Sequence, residues 1–412
     1  MNTQKNYLAP FITMVFLFLI VGFLTVVSQQ FQEPLKSAFL SHVGNIKNTL
    51  ATMVTFAWFL AYPLTGGVGS KWVNRFGYKK TLGRALIIMI IGLIICSASA
   101  WSNKAAVTIG VIPIGFFIFL IGTFTVGSAA TIMQVVINPY LAASEVKGTS
   151  ETTRITIGGS ANSTGTILAP YFVSAIVFGG VDPKDIKIDQ VTIPFLLLAA
   201  TIAVIAFIVD RLNLPDIEGT TNEGGEESEK SIWSFSHLKL GVIALFFYVG
   251  IEVAIGTNIS MHANALGGSF AAKAPLMASL YWGGLLVGRL IGSTLKKISA
   301  QIQLMVTTIG ATGLVLASIF AGNIWLLVGV GLMHSIMWSG IFSLAISKLG
   351  KYRAKASGAL MIGVVGGAII PMIQSSLADM LNNVWTWTWL IVVVGELYIL
   401  YYALIGSKVK LS

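Results

Sequence analysis

Along this chain, apolar residues run for about twenty positions at a time, the length a helix needs to cross a bilayer, and short polar stretches separate the runs. Twelve such runs are read at roughly 8–28, 48–69, 82–101, 111–141, 154–178, 192–213, 239–262, 275–295, 301–320, 323–346, 356–378 and 386–407. Each predicts a helix, because hydrocarbon offers no partner for open backbone groups. The fourth is long enough to be two short spans. The first is read as a retained span, since no small-residue cleavage site follows it.

Lys and Arg decide the fourth run. With twelve spans and both termini cytoplasmic, twenty of the 26 basic residues fall on the cytoplasmic side and six outside. Splitting the fourth run inverts everything after it and removes this bias, so one long helix is expected.

Composition agrees. Of 412 residues, 55% are hydrophobic and only 10% charged, against about 25% charged in soluble domains. An all-α, multi-pass integral membrane protein is expected. The net charge of +10 belongs to the loops as topology signals and does not imply nucleic acid. Cys96, the single cysteine, excludes an intramolecular disulfide and a multi-cysteine metal site. No cofactor is expected.

One polar stretch is unlike the others. "LPDIEGTTNEGGEESEKSIWSF" (214–235) holds six of the sixteen acids among Gly, Ser and Thr, and reads as a flexible cytoplasmic linker. It divides the chain into six-helix bundles at 1–213 and 236–412. The halves rhyme: spans two and eight both end in Gly-rich, then basic sequence ("GGVGSKWVNRFGYKK", "GGLLVGRLIGSTLKK"). Two such repeats predict a secondary transporter working by alternating access, with substrate bound between the halves near the midplane.

Polar residues inside spans are the candidate chemistry. Glu252 ("YVGIEVAIGTN") and Glu396 ("VVVGELYIL") are mid-span acids. Glu252 shares its span with Tyr248 and Asn258 and is taken as functional. Glu396 is read as a structural carboxylate held by a hydroxyl. His334 and Trp338 lie one turn apart in "GLMHSIMWSG"; an imidazole can bond a ligand or carry a proton, and an indole can stack on a sugar ring. Asn162 and Gln374 complete the inventory, with Gln134 and Asn138 at i and i+4 beside Pro139 in "QVVINPY". Amides and aromatics dominate, and no basic residue lies near a span's middle. That suits a neutral, hydroxyl-rich solute better than an anion.

These motifs resemble a known family. "NRFGYKK" (74–80) is similar to the loop between helices 2 and 3 of the major facilitator superfamily, with Asn74 for the usual acid and Ser70 for the usual first glycine. "QVVINPY" resembles the "LQVAANPY" of bacterial glucose/galactose transporters in the fucose:proton symporter family. So do residues 240–256, 279–293 and 340–371. The resemblance implies the major facilitator fold and a sugar site. In the fucose branch, acids in helices 1 and 4 serve substrate and proton; here those positions are Gln30 and Gln134, which cannot titrate. The family's "NSIMFPTIF" becomes "HSIMWSGIF", so His334, Trp338 and Ser339 reshape the pocket.

The expectation is therefore a monomeric importer of a neutral sugar, coupled to a proton or to sodium. The sugar would be held by Gln30, Gln134, Asn138, Asn162, Glu252, Asn258, His334, Trp338 and Gln374. Glu252 or His334 would take the proton, or sodium would sit near Glu252. Asn74, Arg75, Gly77, Pro139 and Arg289 would serve gating. An uncoupled facilitator and a transporter-like sugar sensor are the alternatives. No phosphate loop, metal cluster or paired acids suggest an enzyme.

Overall fold

In the computed structural model, residues 7–102, 107–149, 151–179, 181, 188–214, 231–295, 298–349 and 352–408 are described. Most of the acidic linker, residues 215–230, lies outside them.

Helices account for nearly everything. α1 (Leu8–Gln30) runs almost directly into α2 (Gln32–Phe39). α3 (Lys47–Ser102) is 56 residues long and departs from helical geometry at Gly77, with φ 76° and ψ 172°. Only glycine adopts that combination without strain, so the turn falls inside "NRFGYKK". The small hairpin of β1 (Thr108–Ile109) and β2 (Ile112–Pro113) precedes α4 (Ile114–Ala143). The long uncharged run is thus one helix of 30 residues. α5 (Glu151–Tyr171) contains Pro170 and widens into a π turn over Phe172–Val177; a proline that removes a ladder bond accounts for the change of winding. α6 (Thr192–Arg211) follows.

After the linker come α7 (Ser236–Leu266), the short α8 (Gly268–Ala272), α9 (Ala274–Thr294) and α10 (Ala300–Ala321). α11 (Trp325–His334) and α12 (Met337–Ala345) are one span broken at Ser335–Ile336. α13 (Arg353–Leu360) leads to α14 (Gly366–Met380), and α15 (Leu390–Tyr401) ends the described helices before a last π turn, Tyr402–Gly406. Among the described residues, ten helical segments are long and apolar enough to cross a membrane, α3 being one of them.

The chain forms two compact units. The first holds residues 1–42 and 60–224, the second 43–59 and 225–412. In the first, α1 and α5 pack backbone to backbone. A Cβ on Gly22 would lie 2.2 Å from the Asn162 carbonyl oxygen, and one on Gly165 would lie 2.2 Å from that of Leu19. Phe31, Phe119 of α4 and Phe195 pack together at centroid distances of 4.9–6.0 Å, Phe119 and Phe195 edge-on and the other two pairs tilted. In the second, α7 meets α14 where glycine replaces a side chain at Gly250 and Gly366. This small-residue packing is the usual means of close approach in lipid.

The N-terminal turn of α3 belongs to the second unit. Asp379 of α14 accepts hydrogen bonds from the Asn48 and Thr49 amides (3.1 and 2.7 Å) and from the Thr49 hydroxyl (2.6 Å). A carboxylate there satisfies open N–H groups and opposes the positive end of the helix dipole.

Candidate functional site

The mid-span acids of the second unit belong to one hydrogen-bonded group. Glu252 is half-buried on α7, and Tyr248, one turn earlier, donates to its Oε1 at 2.9 Å. Tyr281 of α9 donates to the Glu252 backbone carbonyl at 3.0 Å and lies 2.8 Å from His334 Nδ1. His334 Nε2 is 2.7 Å from Glu396 Oε1 of α15, and both of these side chains are fully buried. The second Glu396 oxygen has no partner among the described residues. Arg289 Nε reaches the Ser335 carbonyl at 3.4 Å. A basic residue from toward a helix end therefore stands in the electrostatic neighbourhood of Glu252, although no span has one at its middle.

Glycine makes this group geometrically possible. α9 and α11 touch at Gly284, Gly288 and Gly331, where added Cβ atoms would fall 2.2–2.9 Å from the facing helix. On α15, Gly395 lets Glu396's helix meet α7 against Ile251.

Trp338 is half-buried with its ring 6.3 Å from that of Tyr248, and it stacks on Phe342. Asn258 and Gln374 are fully buried instead. Asn258 Nδ2 donates to Gln374 Oε1 at 2.9 Å and to the Pro371 carbonyl at 3.2 Å, while Gln374 Nε2 reaches Thr388 at 3.3 Å. This pair ties α7 to α14.

In the first unit, Gln134 is half-buried and donates to the Tyr62 hydroxyl at 2.6 Å; Asn138, one turn on, is exposed. Gln30 closes α1 and is half-buried, as is Pro139. Asn162 donates to the Phe18 carbonyl at 2.9 Å, bridging α5 to α1. Asn74 and Arg75 are exposed just before Gly77, and Arg84 covers the Phe76 ring at 3.5 Å. Beyond Pro139, buried Arg154 donates to the carbonyls of Leu141 (3.0 Å) and Ala142, closing the end of α4 with the charge its dipole favours.

A sequence model described as "Major Facilitator Superfamily" matches residues 7–371. The chain belongs to the Major Facilitator Superfamily. It is a multi-pass membrane transporter and not an enzyme. It is 30% identical to a Brucella abortus protein named glucose/galactose transporter, over 99% of this chain and 96% of the relative. It is 31% identical to a Helicobacter pylori protein named putative glucose/galactose transporter, over 95% of each. Among solved structures, the Escherichia coli fucose:proton symporter superposes with a TM-score of 0.67 at 18% identity, covering 98% of this chain and 100% of that one. A D-xylose-proton symporter gives 0.71 at 17%, with the same coverage. These two show the fold.

Reading the sequence did not find Tyr281, Tyr62, the reach of Arg289, or the pairing of His334 with Glu396. The glycines following Tyr281 at 284 and 288 were the available signal, a small-residue stripe that brings two helices close.

Proposed function

We propose that this transporter imports a neutral hexose or a related monosaccharide across a bacterial inner membrane, coupled to a cation. Its twelve spans would be the ten apolar segments, with α3 counted twice about Gly77 and the more polar α5 added. Both termini would be cytoplasmic, and two six-helix bundles would alternate access.

The observation that carries this reading is the half-buried Glu252 and Trp338 on otherwise apolar helices, with the buried Tyr248 hydrogen-bonded to the first and packed edge-on against the second. A carboxylate accepts from sugar hydroxyls, and an indole covers the apolar face of the ring. The amide of Gln134, with Asn138 beside it, offers neutral donors and acceptors in the first unit. The names of the Brucella and Helicobacter relatives support hexoses of the glucose and galactose kind. Asn258, Gln374 and Asn162 would position helices rather than touch sugar.

An uncoupled facilitator is the second reading. It is favoured by the amides Gln30 and Gln134, where the resemblance leads one to expect acids.

The test is equilibrium binding of D-glucose, D-galactose, D-mannose, D-fructose, L-fucose and N-acetylglucosamine to the purified chain, for wild type and Glu252→Gln. At least one sugar should bind, and the variant should bind it about tenfold more weakly, as expected for one charge-assisted hydrogen bond. Equal binding by both proteins removes Glu252 from the site; no binding by either defeats the sugar reading.

A further inference from the structure

Resting on that reading of the chain as a coupled sugar importer, we infer that the buried His334–Glu396 pair holds the coupling proton and that Tyr281 signals its presence to the helix carrying Glu252.

Counting donors shows why. The Tyr281 hydroxyl has one hydrogen and faces two groups, the Glu252 carbonyl at 3.0 Å and His334 Nδ1 at 2.8 Å. Both contacts hold at once only if Tyr281 donates to the carbonyl and Nδ1–H donates to the hydroxyl oxygen. Nδ1 then carries a hydrogen, and the 2.7 Å contact between Nε2 and Glu396 Oε1 needs a second one between them; two lone pairs would otherwise face each other. The arrangement seen is thus the proton-loaded form, and the pair is neutral overall. Neutrality matters because neither side chain is exposed to water and Glu396 Oε2 has no partner among the described residues. An unpartnered oxygen is far less costly on a neutral pair than on a lone buried carboxylate.

Releasing one proton rearranges the group. The imidazole keeps a single hydrogen, now on Nε2 and donated to the Glu396 carboxylate. Nδ1 becomes an acceptor and takes the Tyr281 hydroxyl hydrogen. The Glu252 carbonyl loses its donor. One proton leaves, and the only other change is which atom Tyr281 serves. The readout reaches α7 at the residue assigned to sugar.

Among the described residues, no other ionisable side chain is placed in this group. α7 presents Tyr248 and Glu252, α9 presents Tyr281 and Arg289, and α15 presents Glu396. α10 and α12, which also pack on α11, contain no titratable residue. The amides at Gln30 and Gln134 leave this group to take the role that acids play elsewhere in the family resemblance.

The test uses the full-length chain in lipid. Infrared pH-difference spectra taken without sugar should show a protonated-carboxyl band that disappears as pH rises. The band should be missing in Glu396→Gln, and its midpoint should shift in Tyr281→Phe, a variant that keeps the ring and its packing. In proteoliposomes, wild type under a gradient of about one pH unit should accumulate D-galactose or D-glucose about tenfold for one proton per sugar. Glu396→Gln should lose that accumulation while still exchanging labelled for unlabelled sugar. A band unchanged in Glu396→Gln, a midpoint unmoved in Tyr281→Phe, or accumulation driven by sodium alone overturns the inference. If the band behaves as expected but wild type exchanges no sugar, the proton site stands and the sugar reading fails.

Discussion

Replacing Gly331 by alanine tests whether helix spacing sets the coupling group. The new Cβ would sit 2.2 Å from the Tyr281 carbonyl oxygen and 3.0 Å from its carbon. Ordinary contact begins near 3.4 Å, so α9 and α11 must separate by about 1 Å, because packed backbone yields little. The 2.8 Å contact between Tyr281 and His334, one turn along α11, would lengthen past hydrogen-bond range. Overpacking of this kind costs about 1–3 kcal/mol, and a buried polar group left without its partner about as much. Together these predict an apparent loss of about 2–6 kcal/mol, or about 2–7 °C in Tm for a chain of this length. The assay is thermal unfolding in detergent together with the pH dependence of sugar affinity. Gly331→Ala should be less stable and its affinity should no longer follow pH. Gly283→Ala is the control, since nothing lies within 4 Å of its added Cβ on the same helix as Tyr281. If Gly331→Ala keeps wild-type stability and pH dependence, glycine spacing is not what brings Tyr281 to His334.

Other consequences follow from the same contacts. Asp379→Asn removes the charge that accepts three bonds from Asn48 and Thr49; a loss of about 1–2 kcal/mol is expected, seen as faster amide exchange over residues 47–52. Arg154→Lys cannot reproduce the guanidinium's bonds to Leu141 and Ala142, so the turn at 144–149 should become sensitive to added protease, and unaltered cleavage would argue against the cap. Asn162→Ala removes the bond to the Phe18 carbonyl and should lower stability by about 1 kcal/mol without changing sugar affinity. A large fall in affinity would place Asn162 in the sugar site instead.

Much of the fold was legible because hydrocarbon imposes a simple rule. Long apolar runs must be helices, and the charge bias correctly kept Ile114–Ala143 as one. The break at Gly77 was signalled by the polar "NRFGYKK" sequence around it. The site was less legible, since a helix that is apolar all round carries no phase to say which side chains face each other. Glu396 was expected to be bonded to a hydroxyl; its partner is an imidazole 62 residues away. Asn258 and Gln374 looked equivalent to Gln134 in sequence, yet they are buried against each other while Gln134 and Asn138 retain exposure. Glu252 was singled out for its polar neighbours, and Tyr248 is indeed bonded to it. Tyr281 was missed because its role depends on three other helices.

The most direct test of the central claim is exchange of labelled D-glucose or D-galactose in proteoliposomes of the purified chain, with no ion gradient. The account predicts saturable exchange by wild type that unlabelled hexose suppresses and that Glu252→Gln weakens. If wild type gives no exchange above protein-free liposomes for any neutral hexose, the reading of the Glu252 group as a sugar site is contradicted.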